Sequence, residues 1–406
     1  MLTARRAKLC SAVAAAAVIL LFGFHIPGFA QQYSVVANYS NGTVSLLKYA
    51  GGGWTTVGNP YSVGGRPRGV TTFGQNVYVV NDSGYVSILK AVDTGTSAVL
   101  MEVQQHINLP NGVGSAKWGA VGSGDDWLYV TGRRTGTMWE LRKNNNAWMY
   151  YGSEALTWDD SESVPPNHTA SRNPEGVLVV RSMKGGSDKV FVANEGINYR
   201  NVTGVSGVTV FGDGGRMNVS VEGGPTDLAL SETDLGRYVF TDFRSGVGAY
   251  RLAAIDPETG IADLTSYDIG SVEPDSLAAV ADHLFIAEKG TNKIHRYTLS
   301  KATGLTHTDI VELTGSSAFH RLSVSPDGTQ LLVTSAEQNS LSWINISGDQ
   351  FSYVNRLTGF GYPEGVAFVR PGPVPEPSTL SGVAIGILTA LGAARRRLRK
   401  GERQER

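Results

Sequence analysis

Seven residues recur along this chain at intervals near fifty: Arg68, Lys117, Glu175, Thr226, Asp275, His320 and Glu364. Six of them are ionisable, more than packing requires. Brought together, Glu175, Asp275 and Glu364 would supply oxygen ligands and His320 a nitrogen, a donor set for Ca2+, another cation or a polar ligand. The same residues also make a closed ring of compensating charges, with Glu364 beside Arg68 and Glu175 beside Lys117. Spacing of this length is repeat spacing and carries no metal-motif information, so both readings stand. Hydrolysis would need a general base with a partner. Of the remaining histidines beyond the leader, His283 and His295 fall in strands, His106 and His307 in outer segments and His168 in a loop, which leaves His320 alone among the seven positions. No Gly-x-Ser-x-Gly, Gly-rich phosphate loop or His-Glu-x-x-His occurs.

Each of the seven follows a proline or its stand-in. The motif reads "PRGV" at 67, "PEGV" at 174, "PTDL" at 225, "PDSL" at 274 and "PEGV" at 363, with degenerate forms "KWGA" at 117 and "FHRL" at 319. An apolar strand accompanies each: "YSVVANY" at 33, "NVYVVND" at 76, "WLYVTG" at 127, "KVFVANE" at 189, "RYVFTDF" at 237, "HLFIAEK" at 283 and "QLLVTSA" at 330. A Gly, Ser or Asn turn then leads to a second, more alternating strand, which makes a hairpin. A polar stretch such as "MEVQQHINL" or "FSYVNRLTGF" supplies a fourth strand.

Four strands per fifty residues, without helical periodicity, predict an all-β fold, a seven-bladed β-propeller of four-stranded blades. The hairpin from 33 lacks a preceding Pro-x-Gly strand, and the last "PEGVAFV" lacks a following hairpin. Joined, they form one split blade that closes the ring and leaves no open sheet edge. The residue after each proline then stands near the channel mouth. The stretches "VYVVN", "VFVAN", "PEGV" and "SPDGTQLLV" resemble the YVTN-type propellers, which include the lactonase-like family, over roughly residues 33–370. That resemblance implies the architecture and, as one activity of the family, opening of cyclic esters; no catalytic set of the family matches residue by residue.

Two insertions gather near Glu175: the acidic "WDDSESVPPNHTASRN" at 158–173 and "NEGINYRNVTGV" at 194–205. In a propeller both connections lie on the channel-mouth face, where long loops carry function as often as drift.

The formal net charge is −1, yet residues 31–394 hold 25 basic and 34 acidic residues, a net of −9. So acidic a body argues against a nucleic-acid partner. Residues 1–30 read as a signal peptide: Arg5, Arg6 and Lys8, an apolar core, and Gly28-Phe29-Ala30 as the exit. Cys10, the single cysteine, precedes that core, so an exported protein would carry no thiol and no Cys-x-x-Cys-His for haem.

At the other end, Val374-Pro375-Glu376-Pro377-Ser378-Thr379-Leu380 precedes a fifteen-residue apolar run to Ala394, then Arg395, Arg396, Arg397, Arg399 and Lys400. The run is shorter than the roughly twenty residues of a full span, and the arginines set a basic stop on the cytoplasmic side. This order resembles the PEP-CTERM sorting signal of Gram-negative bacteria, except for "GERQER" beyond the basic cluster. The resemblance implies an exosortase-type processing protease as partner, and a transmembrane sorting helix that holds the protein in the membrane until it is processed.

The expected organisation is therefore a signal peptide at 1–30, a propeller at 31–372 and a sorting signal at 373–406. The expected role is a cell-surface or matrix binding module, facing the periplasm and then the outside, with an extracellular polysaccharide or surface protein as partner. The alternative is a secreted lactonase-like hydrolase acting at the central channel.

Overall fold

The computed structural model describes residues 32–371, apart from 94–98, 115, 157–173, 184–185, 196–206, 213–214, 222–223, 234–235, 247, 260–261 and 316–318. The signal peptide, the sorting motif with its basic stop, and the two insertions near Glu175 lie outside the described residues, apart from Asn194 and Glu195 at the head of the second.

The chain forms seven antiparallel sheets around a central channel. Blade 1 is the split blade: its inner strand Pro363–Val369 pairs with Tyr33–Asn38, followed by Thr43–Ala50 and Gly53–Thr56. A short strand, Tyr61–Ser62, also pairs with Thr43 and Val44. Blades 2 to 7 follow in chain order, with inner strands Pro67–Phe73, Ala116–Val121, Pro174–Val180, Leu228–Thr233, Pro274–Val280 and Phe319–Val324. Strands from the two ends of the sequence thus hydrogen-bond within one sheet, so the ring has no seam edge.

The core is seven separate wedges, each filled by side chains from two adjacent blades. Val36, Leu47, Trp54 and Phe368 of blade 1 meet Leu332, Leu341 and Trp343 of blade 7. Tyr78, Val80 and Ile88 of blade 2 meet Leu128, Trp139 and Leu141 of blade 3. The second strand of each blade is the most apolar because both of its faces lie in such a wedge, as in the fully buried Gln330–Ser335.

The Pro-x-Gly motif has a steric reason. A Cβ on Gly69 would stand 2.6 Å from the Lys117 carbonyl oxygen in the next blade. Around the ring, a Cβ on Gly365 would stand 2.4 Å from the Arg68 carbonyl oxygen. Glycine there lets neighbouring inner strands approach closely.

The candidate site at the channel mouth

In six blades the register between the inner and second strands shifts at the position identified from sequence. Pro67 faces Asn81 and Gly69 faces Val80, so Arg68 is the extra residue of a β-bulge. The same shift brackets Lys117, Glu175, Asp275, His320 and Glu364. A bulge re-aims its residue out of the strand's alternation, which is how repeats with different side chains present them at one level of the channel. Blade 5 differs: its inner strand begins at Leu228, and the backbone N–H groups of Thr226 and Asp227 each donate to Asp242 Oδ1 at 3.0 Å.

Two ion-pair groups form. Arg68 Nη1 donates to both carboxylate oxygens of Glu364 at 2.8 and 2.9 Å, Nη2 lies 3.5 Å from Asp82, and the guanidinium carbon sits 4.6 Å from the Tyr39 ring centroid. Lys117 Nζ donates to Glu175 Oε2, while Arg133 Nε stands 2.5 Å from Glu175 Oε1 and Arg133 Nη2 reaches Glu195 at 2.8 Å. Both glutamates are buried. Each is braced from behind by the preceding blade: Thr131 Oγ1 donates to the Glu175 carbonyl at 2.9 Å, and Thr334 Oγ1 to the Glu364 carbonyl at 3.1 Å.

Asp275 is different. No described residue hydrogen-bonds or ion-pairs with its carboxylate; the nearby Lys289 donates to Glu273 at 2.8 Å instead. Burial raises its pKa to about 6 against the pull of Lys289 and Lys117. Burial likewise raises Asp242 to about 6, in spite of the hydrogen bonds it accepts, and raises Glu364 despite Arg68. The backbone of His320 lies in the inner strand of blade 7, and its side chain is outside the described residues.

A second layer lies at the position following each bulge. Where it is not glycine, side chains meet inside the channel. Arg321 of blade 7 donates to Asp227 of blade 5 at 2.6 Å and lies 4.4 Å from the Trp118 ring centroid of blade 3, contacts that span the channel. Asp227 is 1% exposed and also accepts from Ser276 Oγ and the Leu277 N–H, each at 2.9 Å, which locks blades 5, 6 and 7 together.

Sequence reasoning missed this layer, and also a flanking ring made in six blades by the residue after the second strand: Tyr39, Asp82, Arg133, Glu195, Lys289 and Ala336. The signal was present, since these residues recur with the same period as the seven. For the cation reading, the described geometry assembles no oxygen cage. Glu175 and Glu364 face cations, and among the described residues no three His, Cys, Asp or Glu side chains are grouped to hold a metal.

No family model matches the chain, and no curated protein matches it by sequence. Solved structures do match by fold. The periplasmic gluconolactonase PpgL of Pseudomonas aeruginosa superposes with a TM-score of 0.63 at 15% identity, over 84% of this chain and 99% of that one. A Bacteroides uniformis protein provisionally assigned as a 6-phosphogluconolactonase gives 0.61 at 13% identity, over 84% and 100%. A functionally unknown protein of Desulfotomaculum acetoxidans gives 0.58 at 12% identity, over 84% and 99%. The chain is thus a seven-bladed propeller similar in fold to the 6-phosphogluconolactonase-like propellers.

Proposed function

We propose that this protein is an exported binding module that presents its channel mouth to a polar ligand from a surface to which its tail tethers it. The observation that carries this reading is the direction of the chain ends. The inner strand of blade 1 runs from Pro363 at the mouth to Val369 at the opposite face, where it pairs with Tyr33. Gln32, Arg370 and Pro371 line one groove on that opposite face. The described residues at both ends therefore lie on the face away from the mouth, so tethering through the tail would turn the mouth outward. The Val374–Leu380 motif with Arg395, Arg396 and Arg397 supports delivery by a sorting protease. The paired mouth, with donors and acceptors fixed by their partners, suits a hydroxyl-rich ligand such as a polysaccharide, for which a preorganised polar surface limits the ordering cost of binding. Retention of the purified protein on a panel of extracellular glycans tests it, and failure across the panel removes the reading.

A second reading, a lactonase-like hydrolase, is favoured by Asp275. A carboxyl without a described partner and titrating near 6 is poised to take a proton from an attacking water, and Lys117 and Lys289 act on the same group electrostatically. The likeness in fold to a gluconolactonase points to aldonolactones as the trial substrates. Opening of gluconolactone above the spontaneous rate, lost in Asp275→Asn, would establish it; no turnover by the wild type would remove it.

A further inference from the structure

On the outer part of blade 6, away from the channel, two imidazoles meet. His295, on the strand Lys293–Ser300, and His307, on the strand Gly304–Glu312, bring Nδ1 and Nε2 to 3.3 Å. The other nitrogen of His295, Nε2, lies 3.2 Å from Glu288 Oε2, which also accepts from Thr291 Oγ1 at 3.1 Å. The placement depends on a register shift. Arg296 faces Asp309 but Tyr297 faces His307, so Thr308 is an extra residue in the outer strand. Without it His307 would face the opposite side of the sheet, because side chains alternate along a strand. The rings border a cavity of about 260 Å³ between blades 5 and 6, whose wall includes Tyr267, Asp268 and Tyr297.

We propose that His295 and His307 form a binding site for a borderline divalent cation such as Zn2+, with Glu288 orienting His295 from behind. Two nitrogens each about 2.0–2.1 Å from a tetrahedral Zn2+ stand about 3.3–3.4 Å apart. The observed separation matches that bite and exceeds the usual length of a hydrogen bond from N–H. A ligating histidine ordinarily donates its second ring N–H to a carboxylate, which fixes its tautomer; Glu288 stands where that requires. His295 is 5% exposed, whereas His307 is exposed, so a cation can enter from solvent and find one rigid ligand already in place. No third His, Cys, Asp or Glu among the described residues joins them. The protein therefore supplies two ligands, and water or an oxygen of an incoming ligand fills the remaining positions. Imidazole donors with an incomplete sphere select Zn2+ or Cu2+ over Ca2+ or Mg2+. The proposal is independent of what the channel mouth holds.

Calorimetric titration of the chelator-stripped protein with Zn2+ tests it. The expected result is one saturable equivalent for the wild type, a loss of at least about a hundredfold in affinity in His307→Ala, and a loss of about 10–100-fold in Glu288→Gln. Ca2+ should not compete. His307 is exposed, so His307→Ala should keep the wild-type melting temperature without metal, which separates lost ligation from lost folding. Zn2+ should raise the melting temperature of the wild type and not that of His307→Ala. Absence of saturable Zn2+ binding by the wild type, or undiminished binding by His307→Ala, overturns the proposal.

Discussion

Glu175 and Asp275 occupy the same bulge position two blades apart, yet among the described residues one carboxylate is held by two cations and the other by none. The repeat fixes where such a side chain stands; adjacent blades decide what it meets. Blade 3 offers Lys117 and Arg133 to Glu175. Asp275 lies between Thr226 of blade 5 and His320 of blade 7, and Lys289 of its own blade is turned toward Glu273. One sector of the ring is thus a closed electrostatic unit, and the other keeps an acid that no described residue pairs directly.

Removing the paired acid should have the largest effect. Glu175→Ala leaves Lys117 and Arg133 against each other at a partly buried site. The loss of stability should be about 3 kcal/mol, near the range for breaking a buried pair from one side. Asp275→Ala should cost less than about 1 kcal/mol, because no described hydrogen bond is lost with it. Urea midpoints at unchanged slope read the difference. The double change of Glu175 and Lys117 to methionine should recover much of the loss, since apolar residues can replace an ion pair with little cost. Equal losses at Glu175 and Asp275 would break the comparison.

A smaller effect follows from pH. The folded pKa of Asp275, about 6, lies above the unfolded value of about 3.9. The folded state therefore binds more protons between those values, and stability falls as pH rises through the window from about 4 to about 6. A shift of this size corresponds to about 3 kcal/mol in full, of which about 2 kcal/mol falls between pH 4 and 7. In Asp275→Asn that component disappears, so the wild type should lose about this much relative to the variant between pH 4 and 7. Asp242 and Glu364, also raised, carry the same sign but are present in both proteins and cancel. A flat difference curve would place Asp275 among the compensated acids.

The ring itself was legible in the sequence, because strand and turn chemistry repeat with the period of a blade. Even the level of Arg68, Lys117 and Glu175 in the channel followed from the proline before them or its stand-in. Ring order also put Glu364 beside Arg68 and Glu175 beside Lys117, and both pairs form; the additional cation at Glu175, Arg133, did not follow. Nor did the role of the position after the motif, which is glycine in three blades and in three others carries Trp118, Asp227 and Arg321, whose side chains meet inside the channel. Contacts across a channel link blades that are not neighbours, and no local pattern encodes them. The pairing of His295 with His307 was equally hidden, since one extra residue at Thr308 decides which face His307 takes.

The smallest effect should come from the flanking ring. Glu195 pairs with the outer nitrogen of Arg133, whose side chain is 46% exposed, while Glu175 beneath it is 5% exposed. An exposed pair contributes less than about 1 kcal/mol and weakens with salt, whereas a buried pair is little screened. Glu195→Gln should therefore shift the urea midpoint only slightly, and the shift should fade as ionic strength rises. Arg133 would still have Glu175, so the inner pair should hold its place and Glu175→Ala should cost as much in the Glu195→Gln background as in the wild type. If instead the two losses prove strongly non-additive, Arg133 depends on Glu195 to reach the mouth at all. The paired sector would then be an extension of the flanking ring, and its contrast with Asp275 would lie in the residue after the second strand and not in the bulge.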